Sequence, residues 1–134
     1  MIIKVTSIKK PDFTYLLAYM LKHWRQSSPP FIIRHNVKGE TPKAWVRAFL
    51  ENESYRNHKR VNSTILTHEI MSFNKKDATV LTPKKLEDMA RQYIRFRNQK
   101  GMYVAVPHFD TGNYHIHFLC SGVEYRTGTS MRMS

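Results

Sequence analysis

The chain has 134 residues, one domain's worth. Its 41% hydrophobic and 12% aromatic content is enough for a core, which excludes wholesale disorder. Lys and Arg total 22 against 10 Asp and Glu, a formal net charge of +12. A body this small and this basic favours a polyanion partner, and nucleic acid is the commonest. The basic pairs are spread along the chain, with no detachable basic tail. No run approaches the roughly 18 apolar residues of a membrane span. The N-terminus lacks the pattern of a secretion signal. A single cysteine, Cys120, excludes an internal disulfide and any multi-cysteine metal site. Together these describe a single domain, residues 1–134, expected to be cytoplasmic and away from membranes.

In chain order, Ile2 to Ile8 has the β-branched content of a strand and ends at Pro11. Asp12 is the expected N-cap of a helix running to about Arg25. Its apolar stripe is Phe13, Leu16, Leu17, Met20, Leu21 and Trp24. Tyr15, Tyr19 and Lys22 lie off that stripe and face solvent or substrate. After the Ser27-Ser28-Pro29-Pro30 break, Phe31 to Ile33 is a short strand candidate. Thr41-Pro42 then opens a helix through Trp45, Phe49 and Leu50. Glu51 to Lys59 is expected to be a mobile polar loop, and Val61 to Phe73 a long strand. Thr82-Pro83 starts a third helix with Leu86, Met89, Ala90, Tyr93 and Phe96 on its buried face, stopping at Gly101. Met102 to Phe109 and Tyr114 to Ser121 are two strands around a turn-rich connector. Interleaved strands and helices give an α+β fold with a mostly antiparallel central sheet and helices packed on it.

The segment from His108 to His117 carries the chemistry. A tight hairpin over Asp110 to Asn113 sets His108 opposite His115, with Cβ atoms about 5 Å apart. Strand alternation then puts His117 on the same face. Three neutral imidazoles suit zinc, manganese, iron, copper or nickel and leave positions open for a phosphate oxygen. Asp110 is spaced to receive a ligand histidine's second N–H. Alternating histidines also occur on plain solvent faces; a third one across the ladder favours metal. A two-histidine, one-carboxylate iron site needs a histidine far downstream, and a closed zinc site needs a fourth ligand. Cys120 falls on the opposite face by parity, so both rank below the three-histidine reading.

The order of motifs resembles the relaxases, the mobilization nucleases within the HUH endonuclease group, named for two histidines flanking a hydrophobic residue. The resemblance rests on Leu16 to Leu21, His35-Asn36, the strand His68-Glu-Ile-Met-Ser72-Phe, and the hairpin His108-Phe-Asp-Thr-Gly-Asn-Tyr-His115-Ile-His117. Ser121 stands where many members carry Asn, and Tyr114 replaces a frequent proline. Members usually continue with further strands and helices, so the chain is expected to be C-terminally truncated or the N-terminal part of a longer protein.

The resemblance implies nicking and rejoining of single-stranded DNA at an origin of transfer, through a 5′-phosphotyrosine intermediate. It maps the nucleophile onto Tyr19 rather than Tyr15. It implies a divalent ion (Mg, Mn or Zn) held by His108, His115 and His117, with Asp110 orienting a histidine or helping to take the tyrosine proton. Lys22, Tyr15 and Ser72 are candidate DNA contacts, and other mobilization proteins are candidate partners. Replication initiators and small transposases place their tyrosine after the histidine pair; Tyr125, the one tyrosine there, lacks a helix signal. The alternative from a different class is a non-catalytic accessory module that binds single-stranded DNA through basic and aromatic surface.

Overall fold

The computed structural model describes residues 1–22, 30–57, 60–77, 79–110 and 113–131. Among the described residues five antiparallel strands form one sheet: β1 (Ile2–Ile8), β2 (Ile33–His35), β3 (Leu66–Phe73), β4 (Tyr103–Asp110) and β5 (Asn113–Ser121). Their order across the sheet is β1-β3-β5-β4-β2, so β5 is central and β1 and β2 are the edges. Helices α1 (Phe13–Met20) and α2 (Pro42–Glu53) cover one face, and α3 (Pro83–Asn98) covers the other. The α+β fold with an antiparallel sheet is the one the sequence implies. Among the described residues no helix is long and apolar enough to cross a membrane.

Period-two alternation divides β3, β4 and β5 cleanly. Met71, Phe73, Ile116, Phe118, Cys120, Tyr103 and Ala105 pack beneath Leu86, Ala90, Tyr93 and Ile94 of α3. Leu66, Leu119, Val104 and Val106 face Phe13, Leu16, Leu17 and Met20 of α1, with Trp45 and Phe49 of α2 beside them. Phe13 and Phe49 stack at 5.1 Å between ring centroids and tie the two helices together.

Thr41 and Thr82 cap their helices as the Thr-Pro pairs imply, accepting from the backbone N–H of Ala44 and Lys85. Asp12 does not cap α1 through its side chain. Its backbone (φ −81°, ψ 37°) is outside the extended region from which a cap oxygen reaches the first turn. Helix α1 ends at Met20, followed by a turn at Leu21 and Lys22; the expected continuation over His23, Trp24 and Arg25 lies outside the described residues. Helix α2 runs on to Glu53, so Glu51 to Glu53 are helical rather than part of a loop. Strand β3 begins at Leu66, not Val61, because Val61 and Asn62 form a turn and Val61 is exposed.

Phe96 is 73% exposed, against expectation. Near the end of α3 the middle of the buried stripe is held by Arg97, only 7% exposed, with Tyr93 and Ile94 alongside. At about 100° per residue, Phe96 falls on the flank of that line and turns outward. Arg97 is tolerated there because Glu69, fully buried on β3, accepts from its Nε and Nη2 at 3.0 Å each. Thr67 and the Tyr93 hydroxyl also donate to the Glu69 carboxylate. These donors hold its pKa below the ordinary carboxylate value despite burial, which alone would raise it.

Candidate active site

Antiparallel pairing builds the site in rows across the sheet. His108 on β4 pairs with His115 on β5, which pairs with Ser72 on β3 and then Ile2 on β1. The next row joins Val106, His117, Ile70 and Lys4; the one after joins Val104, Leu119, His68 and Thr6. The hairpin closes on Asp110 opposite Asn113, the register the sequence implies, while Thr111 and Gly112 lie outside the described residues. His108, His115 and His117 therefore share the sheet face covered by α1. A slip of one residue would have sent His108 to the α3 side. Cys120 lies on that opposite side, as parity requires, and is fully buried.

His117 is the buried centre of the cluster, 5% exposed. Its ring centroid lies 4.1 Å from His108, 5.1 Å from His68 and 6.3 Å from His115. His117 Nδ1 is 2.9 Å from His68 Nε2, and His115 Nδ1 is 3.0 Å from Ser72 Oγ. His108 behaves differently. Its Nε2–H donates to the Met20 carbonyl at 2.6 Å, satisfying one of the acceptors left open at the end of α1. Burial, reinforced by the neighbouring His108, His68 and His115, lowers the His117 pKa to about 3. Desolvation and His108 lower that of His68 too. His117 is thus a neutral ring near pH 7.

Tyr19 enters from α1. Its position off the apolar stripe leaves it 47% exposed, yet its ring stands edge-on to His117 at 5.9 Å and to His68 at 6.0 Å. Tyr15, one turn earlier, is 77% exposed. Lys22 is exposed in the turn that follows, its backbone N–H bonded to the Tyr19 carbonyl. Ser72 is half-buried against His115. Asp110 ends β4; the role expected of its carboxylate lies outside the described residues.

Neutral imidazoles are the donors a divalent ion such as zinc or manganese takes, so the residues fit such an ion in kind. Among the described residues, however, no three His, Cys, Asp or Glu groups stand as a ready-made metal cage. His108 commits Nε2 to the end of α1, while His115 and His117 bond β3 through Nδ1 and keep Nε2.

A sequence profile described as relaxase, MobA/VirD2-like, nuclease domain matches residues 19–134. The chain belongs to that family. The match begins at Tyr19 and includes every histidine of the cluster. Among solved structures, the relaxase domain is similar to the MobM relaxase domain (MOBV; Mob_Pre), solved bound to a 26-nucleotide pMV158 oriT DNA. The TM-score is 0.54 at 10% identity, over 99% of this chain and 72% of that one. That likeness is one of fold. No curated protein sequence matches the chain.

His68 is the member of the cluster to which sequence reading gave no role. The signal was present in the spacing His68-x-x-x-Ser72, which sets both side chains on the histidine face of β3.

Proposed function

We propose that this relaxase domain nicks and rejoins single-stranded DNA at an origin of transfer, with Tyr19 as nucleophile. One observation carries the reading: Tyr19, the first residue of the family match, holds its ring 5.9 Å from His117, on the face where His108 and His115 pair. A phenol beside a cluster of imidazoles suits in-line attack on a phosphodiester. The Tyr19 Oη–phosphorus bond forms as the phosphorus–O3′ bond breaks. The tyrosine proton leaves for solvent or a nearby base, and the departing 3′ oxygen takes up a proton. The 5′-phosphotyrosine keeps the ester's energy, so the reverse attack by a 3′-hydroxyl reseals the strand.

His108, His115 and His117 are the residues that would hold a divalent ion (Mg, Mn or Zn). Such an ion would supply Lewis-acid stabilisation of charge on the phosphate. His68 and Ser72 act on the rings rather than on the phosphate. Lys22 and Tyr15, exposed beside Tyr19, offer a cation and a stacking face to the DNA strand. The net charge of +12 supplies salt-sensitive attraction to the same partner. Other mobilization proteins would meet this complex at the origin, in the cytoplasm.

The test is a covalent-adduct assay. Protein is mixed with a single-stranded oligonucleotide carrying the element's transfer origin and with Mn²⁺, then run on a denaturing gel. The wild type gives a shifted, denaturation-resistant band, and Tyr19→Phe gives none while still binding the strand. A persistent adduct in Tyr19→Phe moves the nucleophile elsewhere. No adduct in the wild type, with tight strand binding, makes the domain an accessory DNA-binding module.

A further inference from the structure

We infer that His68 and Ser72 are positioning residues: β3 holds His117 and His115 each by Nδ1, leaving Nε2 as the nitrogen each ring offers to the site. The inference rests on the reading above and deepens it by assigning a task to the β3 motif.

The geometry is specific. His68 and Ser72 stand four residues apart on β3, and strand parity gives them the same face. Ser72 pairs directly with His115, whereas His68 pairs with Leu119 and reaches its diagonal neighbour His117. The two bonds, 2.9 and 3.0 Å, both end on Nδ1. The arrangement is thus repeated on two rings by two different side chains.

A neutral imidazole carries one N–H and one lone pair, and the bond made by one nitrogen selects the role of the other. Where Ser72 Oγ accepts from His115 Nδ1–H, the lone pair of His115 is fixed on Nε2. Where His68 Nε2 accepts from His117 Nδ1–H, the same follows for His117, and the proton of His68 sits on its own Nδ1. Both rings are then fixed in tautomer and in orientation. Second partners of this kind commonly govern ligand affinity by about 10–100-fold.

His68 has a further contact: the Tyr19 ring lies edge-on to it at 6.0 Å. One side chain therefore abuts both the ring it orients and the proposed nucleophile. The competing assignment has Ser72 touching DNA. The half-buried hydroxyl bonded to His115 argues against that use.

Two readouts test the inference on the intact chain. The first is the tautomer of His115 and His117 in the metal-free protein near neutral pH, read from ¹⁵N chemical shifts. The wild type is expected to show Nδ1–H on both rings. Ser72→Ala should release His115 alone into a tautomer mixture, and His68→Leu should release His117 alone, while Ser72→Thr and His68→Gln retain the wild-type form. The second is Mn²⁺ affinity by calorimetry, expected to fall about 10–100-fold in Ser72→Ala and His68→Leu and to recover in the conservative pair. Strand affinity in EDTA should stay within about twofold throughout.

Unchanged tautomers in Ser72→Ala and His68→Leu overturn the inference, as does a loss of strand affinity with Mn²⁺ affinity intact. A wild type that binds no Mn²⁺ and forms no adduct would defeat the proposed chemistry, and the tautomer readout would still decide the positioning role.

Discussion

Removing the guanidinium of Arg97 is a sharp test of what keeps β3 in place. Glu69 is completely buried, and it accepts two hydrogen bonds from Arg97 beside those from Thr67 and Tyr93. In Arg97→Met a carboxylate remains in the α3-side core without its cation, while Thr67 and Tyr93 still donate to it. Breaking a buried pair from one side costs about 3–5 kcal/mol. Replacing both partners in Glu69→Leu/Arg97→Met removes the stranded charge, so most of that loss should return.

The assay is equilibrium urea unfolding of the wild type and both variants. The pH dependence adds a second constraint. The wild-type Glu69 pKa is depressed in the folded state, so its stabilisation is complete above the unfolded value of 4.5. It is lost as pH falls below that value and through the folded pKa. Arg97→Met inverts the sign, because burial without the cation raises the folded pKa and favours protonation. The gap between wild type and Arg97→Met should therefore narrow as the solution is acidified. A loss below about 1 kcal/mol that ignores pH would refute the claim that this network bears on stability, since only solvent-exposed pairs are that weak.

Other outcomes follow from the same structure. Thr82→Ala removes the oxygen that caps α3 and should cost about 1 kcal/mol in urea unfolding, with Thr82→Asp close to neutral. Phe96→Ser should change stability by less than about 0.5 kcal/mol because the ring faces solvent. Ile94→Ala, two residues earlier and 2% exposed, should cost about 2–5 kcal/mol. Gly122→Ala should lower the thermal midpoint markedly. A Cβ there would meet the Thr64 carbonyl oxygen at 2.0 Å and the Ile65 oxygen at 2.9 Å, neither of which is a flexible side-chain end. An unshifted midpoint would refute the close approach of Gly122 to the Thr64 and Ile65 carbonyls.

The elements legible in the sequence were those whose signal is local. Thr41-Pro42 and Thr82-Pro83 announce helix starts because cap oxygen and fixed φ act within one turn. The register of His108 against His115 was legible because a short connector between two alternating strands leaves little freedom. Tyr19 was legible as off-stripe, although its approach to His117 depends on how α1 lies across β5. What escaped was set by partners distant in sequence. Phe96 looked like core until Arg97 took the centre of the stripe, and Arg97 could do so only because Glu69 waits 28 residues earlier on β3. An Arg inside an apolar stripe and a Glu at parity with Met71 and Phe73 were the available clues. The turn of His108 toward Met20 had no clue at all, since it depends on where a helix end lands.

The bond from His108 to the Met20 carbonyl spans 88 residues of sequence, and Met20 directly follows Tyr19. Mechanically it acts as a tie rod. Tension applied to Tyr19 would be delivered, one peptide later, to an imidazole on the hairpin. The proposed nucleophile and the histidine hairpin are harnessed together, so that neither can be pulled aside without the other registering the load.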